Sequence, residues 1–177
     1  METNAKLYSL SYSDSRTYLW ATVFVACNVA LPQLFHLIPQ GGIMFAPLSL
    51  VILAAAYKLG WRVALLCAVA SPLVNHLLTG MPTQGVMTLM MLKLVLLALL
   101  GGTAAQVVCR RRLNGWMQLA VLVGVVLTAE LAGAAAEWLL TGGVAATVAD
   151  FTIGWPGLLL QVMGTWLVAT VQWNKMN

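Results

Sequence analysis

Charge is what this sequence has least of. Asp, Glu, Lys and Arg make up only 8% of its 177 residues, against about a quarter in soluble domains. A soluble fold built from it would lack the polar surface to cover itself, and the chain leaves no room for a separate soluble domain. The formal charge of +4 does not point to nucleic acid, because the basic residues sit between apolar runs, where they report topology. Cysteine is sparse too. Cys27, Cys67 and Cys109 form no CxxC pair and have no partner spacing for a metal, so they read as small packing residues. Also missing are an H-E-x-x-H pair, a Ser in a G-x-S-x-G elbow and a P-loop lysine, so zinc protease, serine hydrolase and ATPase chemistry by this chain are not expected. There is no internal repeat and no low-complexity tail.

What is present is hydrophobic sequence in spans of membrane length. Apolar residues make up 61% of the chain, mean hydropathy is +0.89, and a bilayer crossing needs about 20 residues. We expect an all-α membrane protein, a single domain of six transmembrane helices over 19–38, 43–57, 63–78, 86–108, 116–140 and 156–173. The first run exceeds the apolar region of a signal peptide and is expected to be retained. Pro39-Gln40-Gly41-Gly42, Lys58-Leu59-Gly60-Trp61-Arg62, Thr79-Gly80-Met81-Pro82 and Arg110-Arg111-Arg112 punctuate the pattern, and 141–155 reads as a longer loop.

Orientation follows from the basic residues. Of the nine Lys and Arg, all but Lys93 fall in segments on one side: Lys6 and Arg16, Lys58 and Arg62, the Arg110 to Arg112 triplet, and Lys175. The positive-inside rule makes that side cytoplasmic and places both termini there. The opposite loops carry no Lys or Arg and include Asp150. Trp20, Trp61, Trp116 and Trp173 fall near the inner boundary and Trp138 and Trp155 near the outer one, as interfacial aromatics should.

Polar residues inside the spans carry the functional expectation. An ionisable group in the hydrocarbon core costs about 2.5–3.5 kcal/mol on insertion scales, so it faces the bundle interior or a wet cavity. Lys93, Glu130, Glu137, His36, Asn75 and His76 all fall in the outer part of their spans. Glu130 and Glu137 are seven apart and share a helical face, with Gly133 and Ala134 between them allowing close approach of a neighbour or ligand. The expected arrangement is a pocket open to the outside, capped by the 141–155 loop with Trp155 and by the Gln40 and Gln84 turns. The plainer alternative is that Lys93 pairs with Glu130 to neutralise two charges between helices. On the first span, Ala26 and Ala30 make a small-xxx-small pattern that Ala21 extends, either for internal packing or for docking a partner helix.

The order of these features resembles the substrate-binding S components of energy-coupling factor (ECF) transporters. The Ala26-xxx-Ala30 motif resembles the family's alanine motif. Gly42-Ile43-Met44-Phe45-Ala46-Pro47-Leu48 with Tyr57-Lys58-Leu59-Gly60-Trp61-Arg62 is similar to its second span and cytoplasmic turn. Ser71-Pro72-Leu73 with Leu77-Leu78-Thr79-Gly80-Met81-Pro82 resembles its third span, and Gly154-Trp155-Pro156-Gly157-Leu158-Leu159-Leu160-Gln161 the start of its sixth.

The resemblance implies a division of labour. Spans four to six would hold a small water-soluble vitamin or related micronutrient, and spans one to three would meet a transmembrane coupling subunit. Two ATPase subunits would consume ATP, so this chain needs no cofactor or metal of its own and is not an enzyme. It would sit in the cytoplasmic membrane of a prokaryote. Lys93 is the expected partner of a substrate carboxylate or phosphate, with Glu130 and Glu137 accepting from its donors. A carboxylate-bearing vitamin such as pantothenate then fits; folate, riboflavin, a cobalamin-like compound or a queuosine precursor are alternatives. If Lys93 and Glu130 neutralise each other, the ligand is neutral or cationic. Two other classes compete: an MreD-like cell-shape scaffold, which would bind no ligand, and an intramembrane enzyme using Glu130 or His76 as acid or base.

Overall fold

The computed structural model describes residues 10–35, 37, 41–111 and 113–174, which are helical with no strand among them. The helices are α1 (Ser15–Phe35), α2 (Gly41–Phe45), α3 (Pro47–Leu59), α4 (Trp61–Thr79), α5 (Gln84–Arg111), α6 (Gly115–Thr141), α7 (Ala145–Thr152) and α8 (Trp155–Asn174). Among the described residues four are long and apolar enough to cross a membrane: 15–35, 61–79, 85–111 and 115–141. By that length and composition the chain is a multi-pass membrane protein. Its outward faces agree, since Leu131, Leu139, Met163 and Leu167 are exposed, a pattern suited to lipid.

Local chemistry sets the helix ends. The Asp14 carboxylate accepts the Arg16 backbone N–H at 3.0 Å, satisfying one of the donors left over at a helix start. Helix α1 therefore begins in the polar segment, four residues ahead of the apolar run at Leu19. The expected second span is broken in two. Ala46, ahead of Pro47, has φ 39° and ψ 55°; a residue before proline is disfavoured in the right-handed helical region, so α2 stops there and α3 restarts with Pro47 at its first turn. The break nests on α8, where a Cβ at Gly157 would stand 2.7 Å from the Phe45 carbonyl carbon.

Helix α3 is the centre of the bundle. It packs on α1, α4, α5 and α8, and Ile52, Leu53, Ala55 and Ala56 are fully buried, as expected of a helix that is apolar all round. One core joins α3 to α1, α4 and α5 through Ala21, Ile52, Ala56, Val63, Cys67 and Leu94. The other joins it to α5, α6 and α8 through Leu53, Leu97, Leu122, Val126 and Val162.

One end of the bundle collects aromatic and basic side chains. Tyr12 meets Trp61 edge-on at 6.3 Å. The Arg62 guanidinium lies 5.1 Å from the Trp61 ring and 5.9 Å from Tyr12, and Lys58 lies 5.9 Å from Trp20. Residue 102 of α5 abuts Trp61, so the Arg110 and Arg111 end of α5 reaches past this cluster. Lys93, nine residues from Gly102 in the other direction, stands about 13 Å away toward the opposite end.

Candidate ligand-binding site

Lys93 projects from α5 toward α6. Gly133 makes this possible: its missing Cβ leaves room for the lysine stem, and a Cβ there would stand 2.6 Å from Lys93 Cγ. The stem thus lies along α6, and its ammonium reaches Glu130 Oε2 at 3.2 Å and Asp150 Oδ2 at 2.5 Å. The side chains of Lys93, Glu130 and Asp150 keep 17%, 14% and 34% of their surface, so the cluster is sheltered without being sealed. Ion pairing offsets the desolvation of each group. Pairing of Lys93 with Glu130, weighed from the sequence as a plain alternative to ligand contact, is therefore present, and a second carboxylate joins it.

The cluster forms one wall of a cavity of about 270 Å³ between α3, α5, α6, α7 and α8. Ala46 and Pro47, at the break before α3, line it from one side, and Leu158 and Gln161 line it from α8. Its volume is close to the lower end for small-molecule sites, roughly 300–1,000 Å³. Leu89, Met90, Leu94 and Leu97 from α5 form one apolar wall.

Gln161 is the other polar feature. It is 1% exposed, and neither its Oε1 nor its Nε2 has a hydrogen-bond partner among the described residues. Leaving such a group unpaired costs about 1–3 kcal/mol, and most buried polar side chains avoid that cost. Thr165 Oγ1, one turn further along α8, is also buried and without such a partner.

Of the remaining expected residues, those whose side chains are described lie elsewhere. Glu137 is buried, but its Oε2 accepts the backbone N–H of Thr147 at 2.9 Å and its hydroxyl at 2.8 Å. It caps α7 at its third residue and does not line the cavity, because the amides left over at that helix start engage its carboxylate. Asn75 donates to the Asn28 and Ser71 carbonyls at 3.0 Å each and so ties α4 to α1. His76 Nδ1 is paired at 2.8 Å with the Pro82 carbonyl, in the turn that follows α4. Trp155 is 56% exposed and stands outside the lining. Gln84 is the first residue of α5. His36 and Gln40 lie outside the described residues. Of the expected binding set, the cavity thus brings together Lys93 and Glu130.

Asp150 and Gln161 were not among the residues expected at the site. Asp150 carried a signal, as an acidic residue in a loop without Lys or Arg. Gln161 carried a weaker one, as a carboxamide inside an apolar span. The docking stripe also divides: Ala26 and Ala30 are exposed, whereas Ala21 is 7% exposed, with Cys67 Sγ 3.7 Å from its carbonyl. Ala21 therefore belongs to the α1–α4 contact and not to a surface shared with the other two.

A helical membrane bundle with a largely apolar cavity edged by an ion cluster is the class that fold and site define. Compared with family models, curated proteins and solved structures, the chain matches none.

Proposed function

We propose that this chain is the substrate-binding subunit of an ECF-type importer, which captures a small water-soluble vitamin or related micronutrient and delivers it inward with a coupling subunit and two ATPases. The single observation that carries the reading is the cavity of about 270 Å³, walled by the Lys93 cluster and by the unpartnered Gln161 amide. Such polar groups are costly in an apolar bundle, and a bound molecule would answer them.

In this reading the chain crosses the membrane six times with both ends in the cytoplasm. Helices α2 and α3 together make the second crossing, about 28 Å for residues 41–59, and α8 makes the sixth. The Trp61 and Arg62 cluster marks the inner face, which puts the cavity in the outer half, with α7 over it. Ala26 and Ala30 on α1 face outward, where a coupling subunit would pack against small residues.

The test is to purify the chain in lipid nanodiscs from cells grown in rich medium, extract it, and identify released molecules by mass spectrometry. One small organic molecule enriched far above an unrelated membrane protein is expected. Recovery of lipid alone, with no such molecule, would remove the basis of the reading.

A further inference from the structure

We infer that the molecule held in this cavity is a small organic cation, its protonated nitrogen seated against Glu130 and Asp150 and a second polar group read by Gln161; this rests on the binding-subunit reading above. The lining brings together one basic and two acidic side chains, so carboxylates outnumber cations before a ligand arrives. Lys93 does not satisfy both acids fully. Its ammonium meets one oxygen of each, Glu130 Oε2 and Asp150 Oδ2. The other oxygens, Glu130 Oε1 and Asp150 Oδ1, accept no hydrogen bond from a described residue.

In bulk water that surplus would be fully solvated; here Glu130 and Asp150 keep 14% and 34% of their side-chain surface, so hydration is partial and a counter-charge against the apolar helices is favoured. An anionic ligand would face two carboxylates and a lysine with two of its three donors engaged. A neutral ligand would leave the surplus in place. An ammonium or amidinium group supplies both the missing charge and N–H donors for the two idle oxygens.

Gln161 is an independent mark, since it comes from α8 and takes no part in the ion cluster. At 1% exposure, with both amide atoms unpartnered, it offers an NH2 donor group and a carbonyl acceptor to the cavity it lines. The wall of Leu89, Met90, Leu94, Leu97 and Leu158 suits a flat ring or short alkyl body, and methionine there adapts to shape.

The experiment compares three probes of one ring and chain length, tryptamine, tryptophol and indole-3-acetate, by calorimetry and thermal unfolding of the full chain in nanodiscs. Tryptamine is expected to bind at least about tenfold more tightly than tryptophol, with indole-3-acetate weakest, as hydrogen bonds to charged groups imply. Glu130→Gln keeps the Lys93–Asp150 pair, hence the fold, and should cut the preference for the amine by about tenfold. Gln161→Leu should weaken tryptamine about tenfold while raising Tm by about 2–4 °C, because it removes a buried unpaired amide; a residue with a purely structural role would lose stability instead.

Equal or reversed preference among the probes, or a preference unchanged by Glu130→Gln, overturns the inference. So does a co-purifying molecule without a basic nitrogen, which leaves the binding-subunit reading standing. No bound molecule and no binding of any probe overturns both.

Discussion

Asn28, Ser71 and Asn75 connect α1 to α4 by direct hydrogen bonds of 3.0 Å, whereas Lys93, Glu130, Asp150 and Gln161 from α5, α6, α7 and α8 surround a cavity. Both sets are polar residues on largely apolar helices, the first buried and the second sheltered from water only in part. In the first, side chains bridge helix to helix, so the polar groups serve as glue, although Asn28 Oδ1 has no partner among the described residues and none of the three lines that cavity. In the second, the ions satisfy one another only in part and the carboxamide not at all. The difference shows that a polar residue in a membrane helix does not mark a site by its presence. A site is marked where the polar groups border open volume and their own fold leaves bonding capacity unused.

The comparison can be broken by removing members of each set. The largest effect on stability is expected from Lys93→Met, which leaves Glu130 and Asp150 together without a cation. The cost is roughly 2–4 kcal/mol, discounted from the ~3–5 kcal/mol of a fully buried pair because these side chains keep some exposure; thermal unfolding in nanodiscs measures it. Asn75→Ala should cost about 1–3 kcal/mol by taking donors from buried carbonyls between α1 and α4, with ligand affinity unchanged. A fall in affinity would show that the two sets are coupled.

Glu137→Ala uncaps α7 and should cost about 1 kcal/mol, read as faster hydrogen exchange in 145–152 with little change elsewhere. Uniform protection would remove the capping role. The smallest effect on stability, close to zero, is expected from Ala26→Leu combined with Ala30→Leu, since both positions are exposed. Under the proposed docking role this double variant abolishes uptake and spares ligand affinity. Normal uptake would locate the coupling surface elsewhere.

The sequence carries the helices far better than it carries the site. Apolar run length placed spans at 63–78, 86–108 and 116–140, where the helices run Trp61–Thr79, Gln84–Arg111 and Gly115–Thr141. Two departures have local causes. The break at Ala46 is invisible to hydropathy, because the residues on both sides are apolar and Pro47 alone interrupts the helix. Helix α7 reads as loop because Thr147 and Asp150 interrupt a short apolar stretch flanked by glycines. Its docking depends on Glu137 and Lys93, both far enough away in sequence to leave no local pattern.

Depth along the helices narrowed the candidates without fixing which surface each side chain faces. Lys93 and Glu130 were expected to face inward because charges deep in a span must turn away from lipid, and both line the cavity. Glu137, two turns from Glu130 on the same face, instead meets Thr147 at the start of a helix that hydropathy did not show. Asn75 and His76 are neighbours in sequence, yet one turns to α1 and the other to the following turn. Asp150 was read only as a marker of the outer side, and Gln161 only as part of a span start. Both acquire meaning through three-dimensional neighbours.

Native mass spectrometry of the chain released from nanodiscs, comparing the wild type with Ala129→Phe, tests the central claim most directly. Ala129 lines the cavity at 4% exposure, so phenylalanine there takes up the space a ligand would use. The account predicts one small-molecule adduct on the wild type and its loss in the folded variant. The same adduct on both, or none on either, would contradict it.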